Sequence, residues 1–101
     1  LAVIVRYTRQ AVADLDAARD YIALDNLRAA AALAARLREA IDGLRQFTER
    51  GRPGRVPGTR ELVVARTLFV VPYRIAGREI HVLAVLHGKR AWPPEEGKAG
   101  R

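Results

Sequence analysis

A chain of 101 residues has room for one domain around one core, and a composition that is 50% apolar and 29% charged belongs to a folded protein rather than a disordered one. The absence of cysteine excludes disulfides, thiolate nucleophiles and cysteine metal sites, and two histidines leave little with which to build a zinc centre. The formal charge of +7 is concentrated in the second half, since residues 1–48 carry seven basic and six acidic side chains (+1) and residues 49–101 carry eleven and five (+6), a surface suited to nucleic acid or to an acidic polypeptide.

Taken in chain order, Ala2 to Tyr7 is short and rich in Val and Ile, which predicts a buried strand. Its apolar stretch is too short for a signal peptide or a membrane span, so the chain reads as cytoplasmic. Thr8 is placed to cap a helix running to about Leu24, whose apolar residues Ala11, Leu15, Ala18 and Ile22 recur at helical spacing. Asp25-Asn26 breaks that helix and caps a longer one, from Leu27 to about Phe47, carrying Ala30, Leu33, Leu37, Ile41 and Leu44 on one stripe. Two amphipathic helices across a short break predict an antiparallel hairpin. The alanines between Ala29 and Ala35 favour helix and let the two helices approach closely.

Gly51 to Gly58 reads as a loop punctuated by Gly and Pro, with Arg52 and Arg55 exposed on it. Three antiparallel strands are predicted after it: Glu61 to Ala65, Leu68 to Ile75, and Arg78 to Leu86, with Ala76-Gly77 as the tight turn between the last two. Pro72 lacks an N–H, so the second of these strands must be bulged there or face an unpaired edge. Strict alternation in the last strand sets Ile80, Val82, Ala84 and Leu86 against His81, Leu83, Val85 and His87, which predicts a central strand of a covered sheet. The Pro, Glu, Gly and Lys residues at 94–101 read as a flexible tail after a single domain over 1–93.

The sum is an α+β chain: a strand, an antiparallel helical hairpin, then a three-stranded antiparallel meander, with the helices on one face of a small, mainly antiparallel sheet. This order carries Tyr7-Thr8, Asp14-Leu15, Tyr21-Ile22-Ala23, Asp25-Asn26, Gly51-Arg52, Gly58-Thr59-Arg60-Glu61-Leu62, Val70-Val71 with Tyr73-Arg74, and Val85-Leu86-His87-Gly88 with Arg90 and Trp92-Pro93. In this arrangement it resembles the RelE/ParE superfamily of type II toxins over nearly its whole length. The resemblance implies a growth-inhibiting toxin of a plasmid-stabilisation or stress module, held inactive in a hetero-oligomer by a cognate antitoxin and working without a cofactor or a metal.

Two activities are implied: ribosome-dependent cleavage of mRNA and stoichiometric inhibition of DNA gyrase. Cleavage needs a base for a ribose 2′-hydroxyl, cations for the phosphorane charge and an acid for the leaving oxygen. His87 can act as acid or base, Glu61 as a base, and Arg60, Arg74 and Arg90 as phosphate ligands. Alternation sets Arg74 against the apolar set Phe69, Val71, Tyr73 and Ile75, on the open face of the sheet. Trp92 can stack on a base or cover the end of the core. Arg52, Arg55, Lys89 and Arg90 are candidates for contact with RNA or an acidic antitoxin segment. Structural roles stand beside these: Glu61 in exposed strand ion pairs, His81 on a sheet surface or half-buried and satisfied, His87 in a hydrogen bond to the following loop.

Two positions depart from the patterns of the resembling families. Where mRNA-cleaving members commonly carry an arginine three residues before the tyrosine of the second meander strand, this chain has Val70. Where gyrase-directed members commonly carry a Met-Asp pair soon after the final histidine, it has Gly88-Lys89-Arg90-Ala91-Trp92-Pro93. The concentrated positive charge and the His and Arg constellation favour RNA cleavage over gyrase inhibition by a narrow margin.

Overall fold

The computed structural model describes residues 2–88 and residue 92. Strand β1 (Ile4–Tyr7) leads into helices α1 (Arg9–Ala23) and α2 (Leu27–Asp42), followed by a single 3-10 turn at Gly43–Arg45. Strands β2 (Arg52–Pro53), β3 (Arg60–Val63), β4 (Phe69–Ala76), β5 (Glu79–Val82) and β6 (Leu86–His87) complete the sheet.

Both helices begin where the sequence places them. The Thr8 hydroxyl accepts from the N–H of Ala11 and the Asn26 side chain from that of Ala29, each satisfying a donor that has no partner within its helix. The second helix is shorter than its periodicity predicts. Its apolar stripe continues to Leu44, but from Gly43 the chain tightens into the 3-10 turn, so Phe47 stands outside and exposed.

The sheet runs β1-β5-β4-β3-β2, with β1 parallel to β5 and every other pair antiparallel, and β6 also bonded to β4. The helices cover one face. Ala11, Leu15, Leu37, Ile41 and Leu44 pack there on Leu62, Val64, Val71, Tyr73, Ile80 and Val82. Strand β1 is an edge strand with Ile4, Arg6 and Tyr7 exposed, not the buried strand that its composition predicts. The Gly51 to Gly58 segment is likewise more than a loop, since Arg52 and Pro53 pair with Glu61 and Arg60 as a short opposite edge.

The predicted last strand is broken. Tyr73 pairs with Val82, but Phe69 pairs with His87: four steps along β4 (73 − 69) match five along its partner (87 − 82). One extra residue between β5 and β6 is a β-bulge. It accommodates Pro72, whose carbonyl accepts from Leu83 N–H and whose missing donor faces the same gap. The bulge therefore lies in the strand opposite Pro72. Helix α1 satisfies the backbone freed there: Thr8 Oγ1 donates to Leu83 O at 3.0 Å, and Asp14 Oδ2 accepts from Val85 N–H at 3.0 Å. The alternation predicted across the last strand is overturned, because Val85 joins the core with Ile80 and Val82. That strand is central; on the side away from the helices Glu79 and His81 are half-exposed at its start, whereas Leu86, paired with Val70 on that same side, is buried.

Candidate functional site

Cross-strand pairing decides which side chains meet. On the open face, Arg6 of β1, His81 of β5 and Arg74 of β4 are successive partners and form a row across the sheet. His81 Nε2 lies 2.7 Å from Glu79 Oε1, and Arg6 Nε lies 3.2 Å from the same oxygen. The hydrogen bonds from His81 and Arg6 hold the Glu79 carboxyl below its usual range. Arg74 is exposed and forms no ion pair among the described residues. A shallow depression of about 410 Å³ opens between Arg6, Thr8, Arg74, His81 and Leu83.

The acid, base and phosphate ligands expected from sequence do not converge. His87 pairs with Phe69 on the helix side of the sheet, edge to face with it at 6.0 Å between ring centroids, while Arg74 stands on the open side. Arg60 shares a face with Tyr73, and its guanidinium donates to Gly51 O (2.9 Å) and Glu49 O (3.1 Å). Tyr73 braces the same segment, its hydroxyl donating to Thr48 O at 2.6 Å and accepting from Gly51 N–H at 2.9 Å. A Cβ on Gly51 would lie 2.7 Å from the Tyr73 ring, so only glycine allows this approach.

Glu61 is buried, and its ion pairs are formed with Arg52 (3.3 Å) and Arg55 (3.1 Å) of the preceding segment. Arg60, its sequence neighbour, points to the other face. The Arg55 N–H also donates to Glu61 at 3.0 Å. Burial pushes the Glu61 carboxyl up, but the Arg55 N–H and charge, with hydrogen bonds from the Arg52 and Arg55 side chains, outweigh it and hold the group below its ordinary value. Arg52 and Arg55 thus fold the segment over Glu61 while staying partly exposed. Trp92 is half-buried, and Lys89, Arg90 and the tail at 94–101 lie outside the described residues. Among the described residues no cluster of His, Asp and Glu could hold a metal ion, and no helix is long and apolar enough to cross a membrane.

Sequence reasoning did not single out the Arg6, His81 and Arg74 row. It depends on a parallel pairing between the first strand and the fifth, and the one available signal was Arg6 within an otherwise Val- and Ile-rich run.

The sequence profile of the ParE toxin of the type II toxin-antitoxin system parDE matches residues 5–92. The chain belongs to the ParE toxin family. It is 42% identical to the toxin candidate Y4kP of Sinorhizobium fredii, over 88% of this chain and 92% of that one, and 40% identical to toxin RelE2 of Caulobacter vibrioides, over 85% and 96%. Among solved structures, it superposes on a chain of the chromosomal ParDE toxin-antitoxin system of P. aeruginosa with a TM-score of 0.77 at 35% identity, covering 84% of this chain and 95% of that one. The toxin-antitoxin complex RelBE2 of Mycobacterium tuberculosis gives 0.58 at 26% identity, over 86% and 99%. This ParE-family chain is therefore the toxin of a type II module, with a cognate antitoxin as its partner, on a fold that ParE-named and RelE-named proteins share.

Proposed function

We propose that this ParE-family toxin arrests growth by binding its target stoichiometrically, without cutting RNA, and that the target is DNA gyrase. The observation that carries this reading is the separation of His87 from Arg74 by the thickness of the sheet. Acid-base cleavage needs proton donor, acceptor and phosphate ligand within hydrogen-bond reach of one phosphodiester. Here His87 faces one side, Arg74 the other, Glu61 is ion-paired in the interior and Arg60 holds a loop.

A binding toxin needs anchors instead, and the turn between α1 and α2 presents Tyr21, Leu24 and Leu27 at 72, 82 and 77% exposure. The absence of a Met-Asp pair after His87 counts against the usual pattern of gyrase-directed members, so on this reading target recognition rests on the turn. The higher TM-score to the ParDE chain supports this reading.

Plasmid supercoiling by purified gyrase should fail in the presence of the toxin, while mRNA in a translation extract stays intact. Uninhibited supercoiling with breaks at the ribosomal A site would reverse the assignment. One observation keeps a nuclease reading in play, namely His81 between Arg6 and Arg74 with Glu79 as its partner. On that reading it is His81→Ala, not His87→Ala, that abolishes the breaks.

A further inference from the structure

A second concentration of positive charge lies where α2 meets the β3–β4 turn. Arg36 from α2, Arg50 from the segment after the 3-10 turn and Arg66 from the turn line a depression of about 280 Å³. Its floor is the small apolar surface of Ala40, Val64 and Ala65, and Glu39 is the one acidic residue on its rim. None of the three arginines has an ion pair among the described residues, whereas Arg19, Arg45 and Arg52 all do.

Arg66 adds an independent sign of selection for something other than stability. In the four-residue turn closed by Thr67 N–H on Val64 O, Arg66 sits at the third position with φ of 63°, a left-handed conformation that glycine adopts freely and a side chain adopts at a cost of about 1 kcal/mol or more. The turn therefore holds a cation where local stability asks for none.

We propose that Arg36, Arg50 and Arg66 form a cradle for the phosphate backbone of duplex DNA. Guanidiniums from three separate elements suit phosphates spaced along a rigid strand. No aromatic side chain lines the cradle to receive an unstacked base, and the Arg50 guanidinium already lies over one face of Phe47 at 4.8 Å. A single strand would need such a platform, whereas a duplex keeps its bases stacked and presents phosphate. The floor of Ala and Val is too shallow to seat the large side chains of an acidic amphipathic peptide. The cradle does not depend on gyrase being the target, because DNA binding is measured without the enzyme.

The test is the fluorescence anisotropy of a short labelled DNA duplex titrated with the full-length toxin between about 50 and 200 mM salt. Arg36→Ala, Arg50→Ala and Arg66→Gly should each weaken binding by about threefold to tenfold and reduce the slope of log affinity against log salt by about one. Arg78→Ala, which removes the same charge from the β4–β5 turn, should change binding less than about twofold. Arg66→Gly should melt at or above the wild-type temperature, so that its weaker binding reflects a lost contact and not lost folding. The proposal is overturned if the triple variant binds like wild type, if Arg78→Ala matches the cradle variants, or if single-stranded RNA or an acidic peptide binds better than the duplex.

Discussion

Glu61 keeps its charge in the interior because three donors meet it: the N–H of Arg55 and the guanidiniums of Arg52 and Arg55. Its folded pKa lies below its unfolded one, so the native state binds this proton less tightly than the unfolded chain does. The stability it contributes is complete above the ordinary carboxylate range and is lost as pH falls through the folded value. Melting temperature should therefore decline on acidification below about pH 4.5. Glu61→Gln should be less stable by about 1–2 kcal/mol at neutral pH and should melt with a flatter pH dependence through the same window. A variant curve parallel to that of wild type would remove Glu61 as the responsible group. Sequence suggested an ion pair here but pointed to an exposed one with Arg60 at hand. Adjacent strand residues face opposite ways, and the true partners are Arg52 of a short edge strand and Arg55 just after it, in a segment whose Gly and Pro disguised the strand.

The elements most legible in sequence were the helices, because their caps and apolar stripes are local signals. Less legible was the end of the sheet, since the residues from Arg78 to Leu86 satisfy a single unbroken strand just as well. What distinguishes the two arrangements is remote: Pro72 across the ladder, and Thr8 capping α1 and Asp14 on it, which satisfy Leu83 and Val85. Asp14 also accepts from Gln10 at 2.7 Å and is buried, so it joins helix to bulge. Asp14→Ala would strand the buried N–H of Val85 and should cost about 2–3 kcal/mol, a fall in melting temperature on the order of 10 °C for a domain of this size. Asp14→Asn, which retains an acceptor, should recover most of the loss. If both variants melt like wild type, the clamp contributes nothing.

At the scale of the whole molecule, three surfaces are separate: the open sheet face with Arg6, His81 and Arg74, the apolar tip of the helical hairpin, and the arginine cradle beside α2. Family and fold were readable from the order of elements, but the division of surfaces was not. It depends on which strands pair, and no local run of residues encodes that. The hairpin tip allows folding and arrest to be tested apart. Tyr21→Ser with Leu24→Ser should leave melting unchanged within a degree or two, because both side chains are already in water. The same pair should raise the toxin concentration needed to stop supercoiling by at least about tenfold. Wild-type potency would remove the tip from target recognition. The bulge between β5 and β6 bears on the surfaces in a different way. Which side of the sheet displays the residues after Val82 depends on whether one of the intervening residues is taken up in the bulge. Were the bulge flattened with every residue kept, five regular steps from Val82 would put His87 on Arg74's side with both residues unaltered, whereas deleting the extra residue would leave His87 opposite Phe69. The presence or absence of a bulge, as well as residue identity, would then be a means by which relatives on this fold exchange one surface chemistry for another.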